Sequence, residues 1–218
     1  MAWISLKKGI HRVLPGLTVQ PGNKVADTLK MIPPGARICD IGSGGRKITP
    51  STFTIDGFVA DNTDLVCDIH NIPLPDESFD CVFCTGTLEH VEDPFKAISE
   101  IRRLLKKGGV AHIEVPFIQA YHADPNDYWR WTLEGLRLFC RKGGLQEVQS
   151  GTHIGPASAL NWVFNEYIIC LLGNGILGNT AAAFVRLMPF KYLDYILIKR
   201  SSAYRIASGL YFVGRKQP

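Results

Sequence analysis

The sequence predicts an α/β fold: an open, mostly parallel sheet with an apolar helical insertion before its last strand. Three observations predict it. Short apolar runs of strand length alternate with helical or polar stretches between Ala36 and Phe117. The first of these runs ends in the glycine cluster "CDIGSGGRK", which belongs where a parallel strand hands over to its ligand-facing loop. Finally, the stretch from Tyr167 to Val185 contains no charged residue, yet glycines and asparagines interrupt it. A chain of 218 residues with 46% hydrophobic composition builds one domain with a sizeable core. We divide it into an N-terminal helical segment (1–35), a core (36–151), the insertion (157–202) and a final strand (206–216).

Taken in order, "ARICDIG" (36–42), "TFTIDGF" (52–58), "FDCVFCTG" (79–86) and "GVAHIEVPF" (109–117) read as strands. Before the last of them lies a clear helix. Asp93 is a good N-cap, Pro94 suits the first helical position, Phe95, Ile98, Ile101 and Leu105 share a face, and "KKGG" ends it. Strand, helix, strand alternation implies a parallel sheet. "LQEVQSG" and "SGLYFVGRK" supply two further strands.

Charge is uneven along the chain. The net +4 divides into +5 from Gly151 onward, where seven basic residues face Glu166 and Asp194, and −1 over the rest. A basic, apolar tail on a near-neutral body points to an anionic or membranous partner for the tail alone and argues against nucleic acid. All six cysteines sit mostly within apolar runs, and the N-terminus lacks a signal-peptide apolar core, so a reducing, cytoplasmic setting follows. No metal is expected. Cys81 and Cys84, three apart on a strand, point to opposite faces and cannot easily chelate one ion, and His112 reads as an interior histidine.

In the glycine loop, Gly42 and Gly44 let the backbone turn sharply, and Asp40 can accept hydrogen bonds from a polar or cationic group. A dinucleotide fingerprint would need glycine where Lys47 stands, and the P-loop pattern is absent. A bare tight turn is the simpler alternative. However, the loop's Asp40, Gly42 and Gly44 match the first motif of class I S-adenosylmethionine-dependent methyltransferases of the type 11 kind. The block from Cys67 to Pro116, with "LPDESFD", "LEHVEDP" and "LLKKGG", is similar to the centre of that family. The resemblance runs from about Arg37 to Arg141 and implies a Rossmann-like, seven-stranded sheet with S-adenosylmethionine as cofactor.

It also implies residue roles. Asp40 and the Gly42 to Gly44 backbone would lie beside the methionine portion. Asp56, or Asp61 in its place, would hold the ribose hydroxyls. Asp68 would take the adenine amino group, with Ile69 covering the ring, and Thr85 and Gly86 would pass beneath the sulfonium. His90 would face the pocket or start a helix, and Glu89 shares that ambiguity. The sequence departs from the family where Arg46 replaces the third glycine and where 46–51 is too short for a full first helix.

After the fourth of these runs comes "HADPNDYWRWT" (122–132), in the loop that stands on the acceptor side of this fold. His122 is the candidate base, with Asp127 as its orienter or substitute. Tyr128, Trp129 and Arg130 form a candidate platform for a sugar or anionic head group. The alternative is a turn whose tryptophans pack on the sheet. "PxDYWRWT" also resembles methyltransferases found with polysaccharide and lipid-glycan assembly genes.

The expectation is therefore methyl transfer to an oxygen acceptor, a sugar or lipid-linked glycan. Methylation of a quinone-like molecule, or a non-catalytic S-adenosylmethionine-binding partner of a membrane complex, are the alternatives. The tail would serve as a hydrophobic lid or make peripheral membrane contact at the inner face, with Arg186, Lys191, Lys199 and Arg200 toward lipid phosphates. A helical insertion packed on the sheet is the plainer option.

Overall fold

A computed structural model describes residues 16–217, and the part of the expected N-terminal helical segment before Gly16 lies outside them. The chain divides into two compact units, one of residues 23–117, 121–151 and 209–217, the other of 16–22, 118–120 and 152–208.

The larger unit is built on a seven-stranded sheet: β1 (Ile38–Ile41), β2 (Phe53–Asp56), β3 (Leu65–Val66), β4 (Phe79–Thr85), β5 (Leu105–Pro116), β6 (Leu145–Ile154) and β7 (Gly209–Lys216). The order is β3-β2-β1-β4-β5-β7-β6, with β7 antiparallel to β5 and the pairs among β1 to β5 parallel. The expected Rossmann-like seven-stranded sheet is thus present. The central strands β1 and β4 and residues 109–116 of β5 are mostly apolar and nearly all buried, as strands covered on both faces must be. Because Asp40 pairs with both Thr54 and Phe83, and Thr85 with Glu114, the carboxyl ends of β1, β2, β4 and β5 stand side by side.

Helix α1 (Lys24–Leu29) is capped by Asn23 and packs Val25 and Leu29 on a cluster of Ile38, Cys81, Phe83, Val110 and Val213. Its Thr28 hydroxyl reaches His112 Nδ1 at 2.7 Å, and His112 Nε2 meets Glu114 Oε1 at 3.0 Å, so this buried strand histidine is satisfied on both sides. Helix α2 (Pro94–Leu104) starts as expected, with Asp93 accepting from the Lys96 N–H. Its buried face differs from the expected one: Ala97, Ile98, Ile101 and Leu104 turn inward while Phe95 is half exposed and stacks edge-on against Phe139. "KKGG" does not extend the helix. Leu105 already pairs with Phe79, and the two glycines absorb the register shift before Cys81 meets Val110, Gly108 at φ +74°. Helix α3 (Leu133–Lys142), capped by Thr132, buries Leu136, Phe139 and Cys140. Between β1 and β2 there are only turns, as the short segment required.

In the smaller unit, α4 (Pro156–Leu172) and α5 (Ile176–Leu187) are separated at Gly173, which takes φ +76°. A Cβ on Gly178 would lie 1.8 Å from the Gly173 carbonyl oxygen, so the break between the helices depends on glycine at both places. Short helical turns follow at Pro189–Leu193, α6 (Asp194–Leu197) and Ala203–Ile206. Among the described residues no helix is long and apolar enough to cross a membrane. Lys191 departs from its expected lipid-facing role: it is 1% exposed, donating to the carbonyls of Gly16 and Arg186, at 2.5 and 2.8 Å. Desolvation of its buried ammonium, with Arg186 adding, lowers its pKa, and its charge serves to tie chain segments together rather than to meet lipid.

Candidate active site

The site begins at the end of β1. Asp40 is fully buried; its Oδ2 accepts from Arg46 Nη2 at 3.0 Å, and its Oδ1 is buried without a hydrogen-bond partner among the described residues. Burial pushes the Asp40 pKa up to about 6 against the pull of the Arg46 guanidinium, with Asp56 and Glu114 adding to the rise. Arg46, standing where the family has its third glycine, also donates to Thr85 Oγ1 at 2.7 Å and so bridges β1 to β4.

The loop that follows needs its glycines. Gly42 and Gly44 take φ +72° and +57°. A Cβ on Gly42 would come within 2.1 Å of the Thr87 hydroxyl, whereas over Gly44 the space is open. Gly44 N–H donates to Asp56 Oδ2 at 2.7 Å, and Phe58 N–H to Asp56 Oδ1 at 3.2 Å. Asp56, at the end of β2, is therefore bound into the turn that the ligand would share. Asp61 is exposed, and its carbonyl oxygen lies only 2.4 Å from where a Cβ on Gly45 would stand. Beyond β3, Asp68 accepts from both the backbone and ring N–H of His70, which hold its carboxyl below the usual range, with half-buried Ile69 between them.

At the end of β4, Gly86 (φ +65°) donates to the Glu114 carbonyl, and a turn of 3-10 helix, Leu88–His90, places Glu89 underneath it. The Glu89 carboxylate is 2% exposed, lies 3.7 Å from where a Cβ on Gly86 would stand, and leaves Oε2 buried without a partner among the described residues. The loop after β5 is fastened onto this turn. Tyr128 and Trp129 N–H groups both donate to the Glu89 carbonyl, Trp129 Nε1 donates to the Val91 carbonyl at 2.9 Å, and His90 Nδ1 donates to the Asn126 carbonyl at 2.5 Å. His122 and His90 meet edge to face, ring centroids 5.4 Å apart, and both Nε2 atoms approach Glu89 Oε1, at 3.8 and 3.9 Å.

Asp127 sits elsewhere in this loop's chemistry than expected. Arg130 donates to both its oxygens, and the His122 backbone N–H donates to Oδ2 at 2.8 Å. These bonds hold its carboxyl down at about 2, too weak a base to substitute for His122. Its relation to the His122 ring is looser: Nδ1 lies 3.8 Å from Asp127 Oδ2 and 3.3 Å from Arg130 Nη2, an acceptor and a donor. Arg130, spent on Asp127, is a strut of the loop more than a platform. Tyr128 and Trp129 remain 44% and 38% exposed, whereas Trp131 is buried against Phe139, as the turn alternative has it for one tryptophan. Glu89 and Arg46 carry more of the site than sequence alone shows; the signal for Arg46 is its place in the glycine motif.

Asp127→Asn is expected to cost about 2 kcal/mol, the usual loss for hydrogen bonds to a charged group. Because the folded pKa is depressed, this stabilisation is present above the ordinary carboxylate range and is lost as pH falls toward about 2. Urea unfolding at neutral pH checks it; an unshifted midpoint would rule the strut out.

The residues fit S-adenosylmethionine. A buried acid with one unpartnered oxygen awaits a cationic or polar group at the glycine turn, open space lies over Gly44, and two further carboxylates stand at the ends of β2 and β3.

Comparison with known proteins agrees. A family model described as a methyltransferase domain matches residues 40–113. An uncharacterised 37.1 kDa protein of transposon Tn4556 from Streptomyces fradiae is 34% identical over 89 residues, 41% of this chain and 26% of that protein. The tRNA U34 carboxymethyltransferase of Campylobacter fetus is 26% identical over 128 residues, covering 51% of this chain and 45% of the enzyme. The chain thus spans less than half the length of these curated relatives. Among solved structures, the 4+2 cyclase SpnF aligns with TM-score 0.54 at 20% identity over 89% of this chain and 81% of that one. Phosphoethanolamine N-methyltransferase 2 of Haemonchus contortus, in complex with S-adenosyl-L-methionine, aligns with TM-score 0.55 at 18% identity over 90% and 53%. The glycine turn, the strand-end acids and the sheet order agree with this likeness: residues 40–113 match a methyltransferase domain, and the sheet has the Rossmann-like fold of S-adenosylmethionine-dependent methyltransferases.

Proposed function

We propose that the protein transfers a methyl group from S-adenosylmethionine to an oxygen of a sugar or lipid-linked glycan at a membrane surface. The observation that carries this reading is the loop after β5: two half-exposed aromatic rings, Tyr128 and Trp129, stand beside a cluster of buried Glu89 and partly buried His90 and His122. Flat aromatic faces suit sugar rings, and a carboxylate with two imidazoles suits a hydroxyl that must give up its proton. When bound, the cofactor supplies an activated methyl group on sulfur. The chain's own work is to orient the acceptor hydroxyl, exclude water and receive its proton. In that work Glu89 takes the place beside His122 that sequence order offers to Asp127.

The tail supports a lipid-linked acceptor. Within its own unit, Ile118, Leu160, Val163, Phe190, Leu193 and Leu197 line an apolar cavity of about 370 Å³. Leu160, Tyr167, Leu171, Ile176, Leu177 and Phe184 are each at least 59% exposed, a larger apolar surface than water-facing helices ordinarily show. Lys199 and Arg200 are exposed nearby in sequence and suit anionic lipid phosphates. The same cavity favours, as a second reading, a quinone-like or other small hydrophobic acceptor. The tRNA chemistry of the Campylobacter relative is not carried over: the body bears −1 and one tail lysine is buried. The cyclase neighbour is a reminder that this fold hosts other reactions.

The test is transfer of labelled methyl from the cofactor to lipid-linked oligosaccharide in vesicles of anionic phospholipid, with free oligosaccharide and a quinol in parallel. Label in the glycan, lost in Asp68→Ala, supports the proposal; label only in the quinol selects the second reading. Cofactor binding without transfer to any acceptor would point to a non-catalytic binding partner.

A further inference from the structure

We infer that Glu89, His90 and His122 form a binding site for a divalent transition-metal ion of the zinc type. The three side chains each offer one donor atom, and these atoms lie within 4.8 Å of one another. Glu89 Oε1 stands 3.8 Å from His122 Nε2 and 3.9 Å from His90 Nε2. A tetrahedral zinc ion with its usual bond lengths draws such donors to roughly 3.3 Å apart, so the two Glu89 separations have to close by about half an ångström and the histidine pair, within 4.8 Å, by up to about 1.5 Å.

Several features favour an ion over a self-contained hydrogen-bond cluster. Glu89 is 2% exposed and its Oε2 is buried without a hydrogen-bond partner among the described residues. A buried carboxylate needs compensation by a cation, and among the described residues no Arg or Lys pairs with it; its ion pairs are to the two histidines. His90 donates its Nδ1–H to the Asn126 carbonyl, which leaves the Nε2 lone pair directed at the cluster. That backbone bond is the support that metal-binding histidines ordinarily have on their second nitrogen. For His122, Asp127 lies behind the ring, its Oδ2 3.8 Å from Nδ1, on the side where the N–H that a metal on Nε2 leaves there would point. Arg130 Nη2, 3.3 Å from the same nitrogen, opposes that tautomer, so His122 is the ligand whose recruitment needs a small ring movement.

Two imidazoles and one carboxylate select zinc, cobalt or a related ion and not magnesium or calcium, which prefer all-oxygen shells. Three protein ligands leave a fourth position open, the arrangement of sites that bind a reactant. The inference rests on the proposed methyl transfer only for the ion's purpose, which is to hold and acidify the acceptor hydroxyl so that its proton passes to solvent, with His122 then a ligand in place of a base; the binding itself is independent of it.

The experiment titrates zinc chloride by calorimetry into chelator-treated full-length protein, wild type, Glu89→Gln and His122→Asn. Cobalt chloride is then followed by absorption. The expected result is one equivalent of ion bound by wild type, weakened about tenfold or more in each variant, and a cobalt spectrum free of thiolate charge-transfer bands. No binding, equal binding by both variants, or a thiolate spectrum from the cysteines overturns the inference. Urea unfolding of the same samples confirms that the variants are folded, and S-adenosylmethionine is titrated into wild type. That titration separates the two failures, since cofactor binding without metal binding sinks this site alone.

Discussion

Asp40→Asn should abolish S-adenosylmethionine binding and at the same time make the ligand-free protein more stable at neutral pH. Asp40 is buried, one oxygen has no partner among the described residues, and its folded pKa of about 6 lies above the ordinary value of 3.8. The direction of the linkage follows from that sign. Between pH 3.8 and 6 the folded state binds the proton more tightly than the unfolded state, so stability falls as pH rises through this window. Above it the ionised acid carries its full penalty, of the order of 3 kcal/mol for a rise of about two pH units, with the attraction of half-exposed Arg46 already included. An amide has no such penalty. The Asp40→Asn variant should therefore show a higher urea midpoint than wild type at pH 7 and a nearly equal one at pH 4, where the wild-type carboxyl is protonated. Calorimetry of cofactor binding completes the test, because the same carboxylate is what the methionine ammonium would address. Wild-type binding should weaken as pH falls through about 6. An equal stability difference at both pH values, or undiminished cofactor binding by the variant, would show that Asp40 is a structural residue only.

The second large effect is expected in the tail. Asp194 is fully buried and accepts from Ala157 N–H and Ser158 N–H, both at 2.8 Å, so it caps the first turn of α4 from a distant segment. Glycine at 155 makes this possible: a Cβ there would stand 2.3 Å from Asp194 Oδ1. Asp194→Ala leaves two buried donors unsatisfied next to a helix N-terminus that favours negative charge. The cost is about 3 kcal/mol or more, and Gly155→Ala should approach it by displacing the same carboxylate. Limited proteolysis is the appropriate measurement, since it reports the opening of one unit. Both variants should be cut first between residues 156 and 208, and faster than wild type. Unchanged cleavage in Asp194→Ala would refute the capping role.

Local signals in the sequence are sufficient for the helix from Pro94, whose cap, first-turn proline and apolar spacing all agree. They are also sufficient for the glycine turn after β1, where positive φ values leave few residues to choose from. The helix's inner face departs from expectation at Phe95 because periodicity locates a stripe but not its edges, and a ring at the stripe's border can pack against Phe139 from outside. Sequence order likewise pairs His122 with its near neighbour Asp127. In the fold, Arg130 claims that carboxylate, and the acid facing the His122 Nε2 atom is Glu89, carried on a different strand's exit turn.

By itself the sequence determined the strand and helix alternation, the family motif at Asp40, Gly42 and Gly44, and the break in the apolar tail, because each depends on residues adjacent in the chain. Only the tertiary structure decided which charges are spent. Lys191 became an internal tie, Arg130 a strut, Arg46 the partner of Asp40, and Glu89 the buried centre of a histidine pair. The physical reason is that burial and pairing are set by what packs around a side chain, and those neighbours come from segments far apart in the sequence.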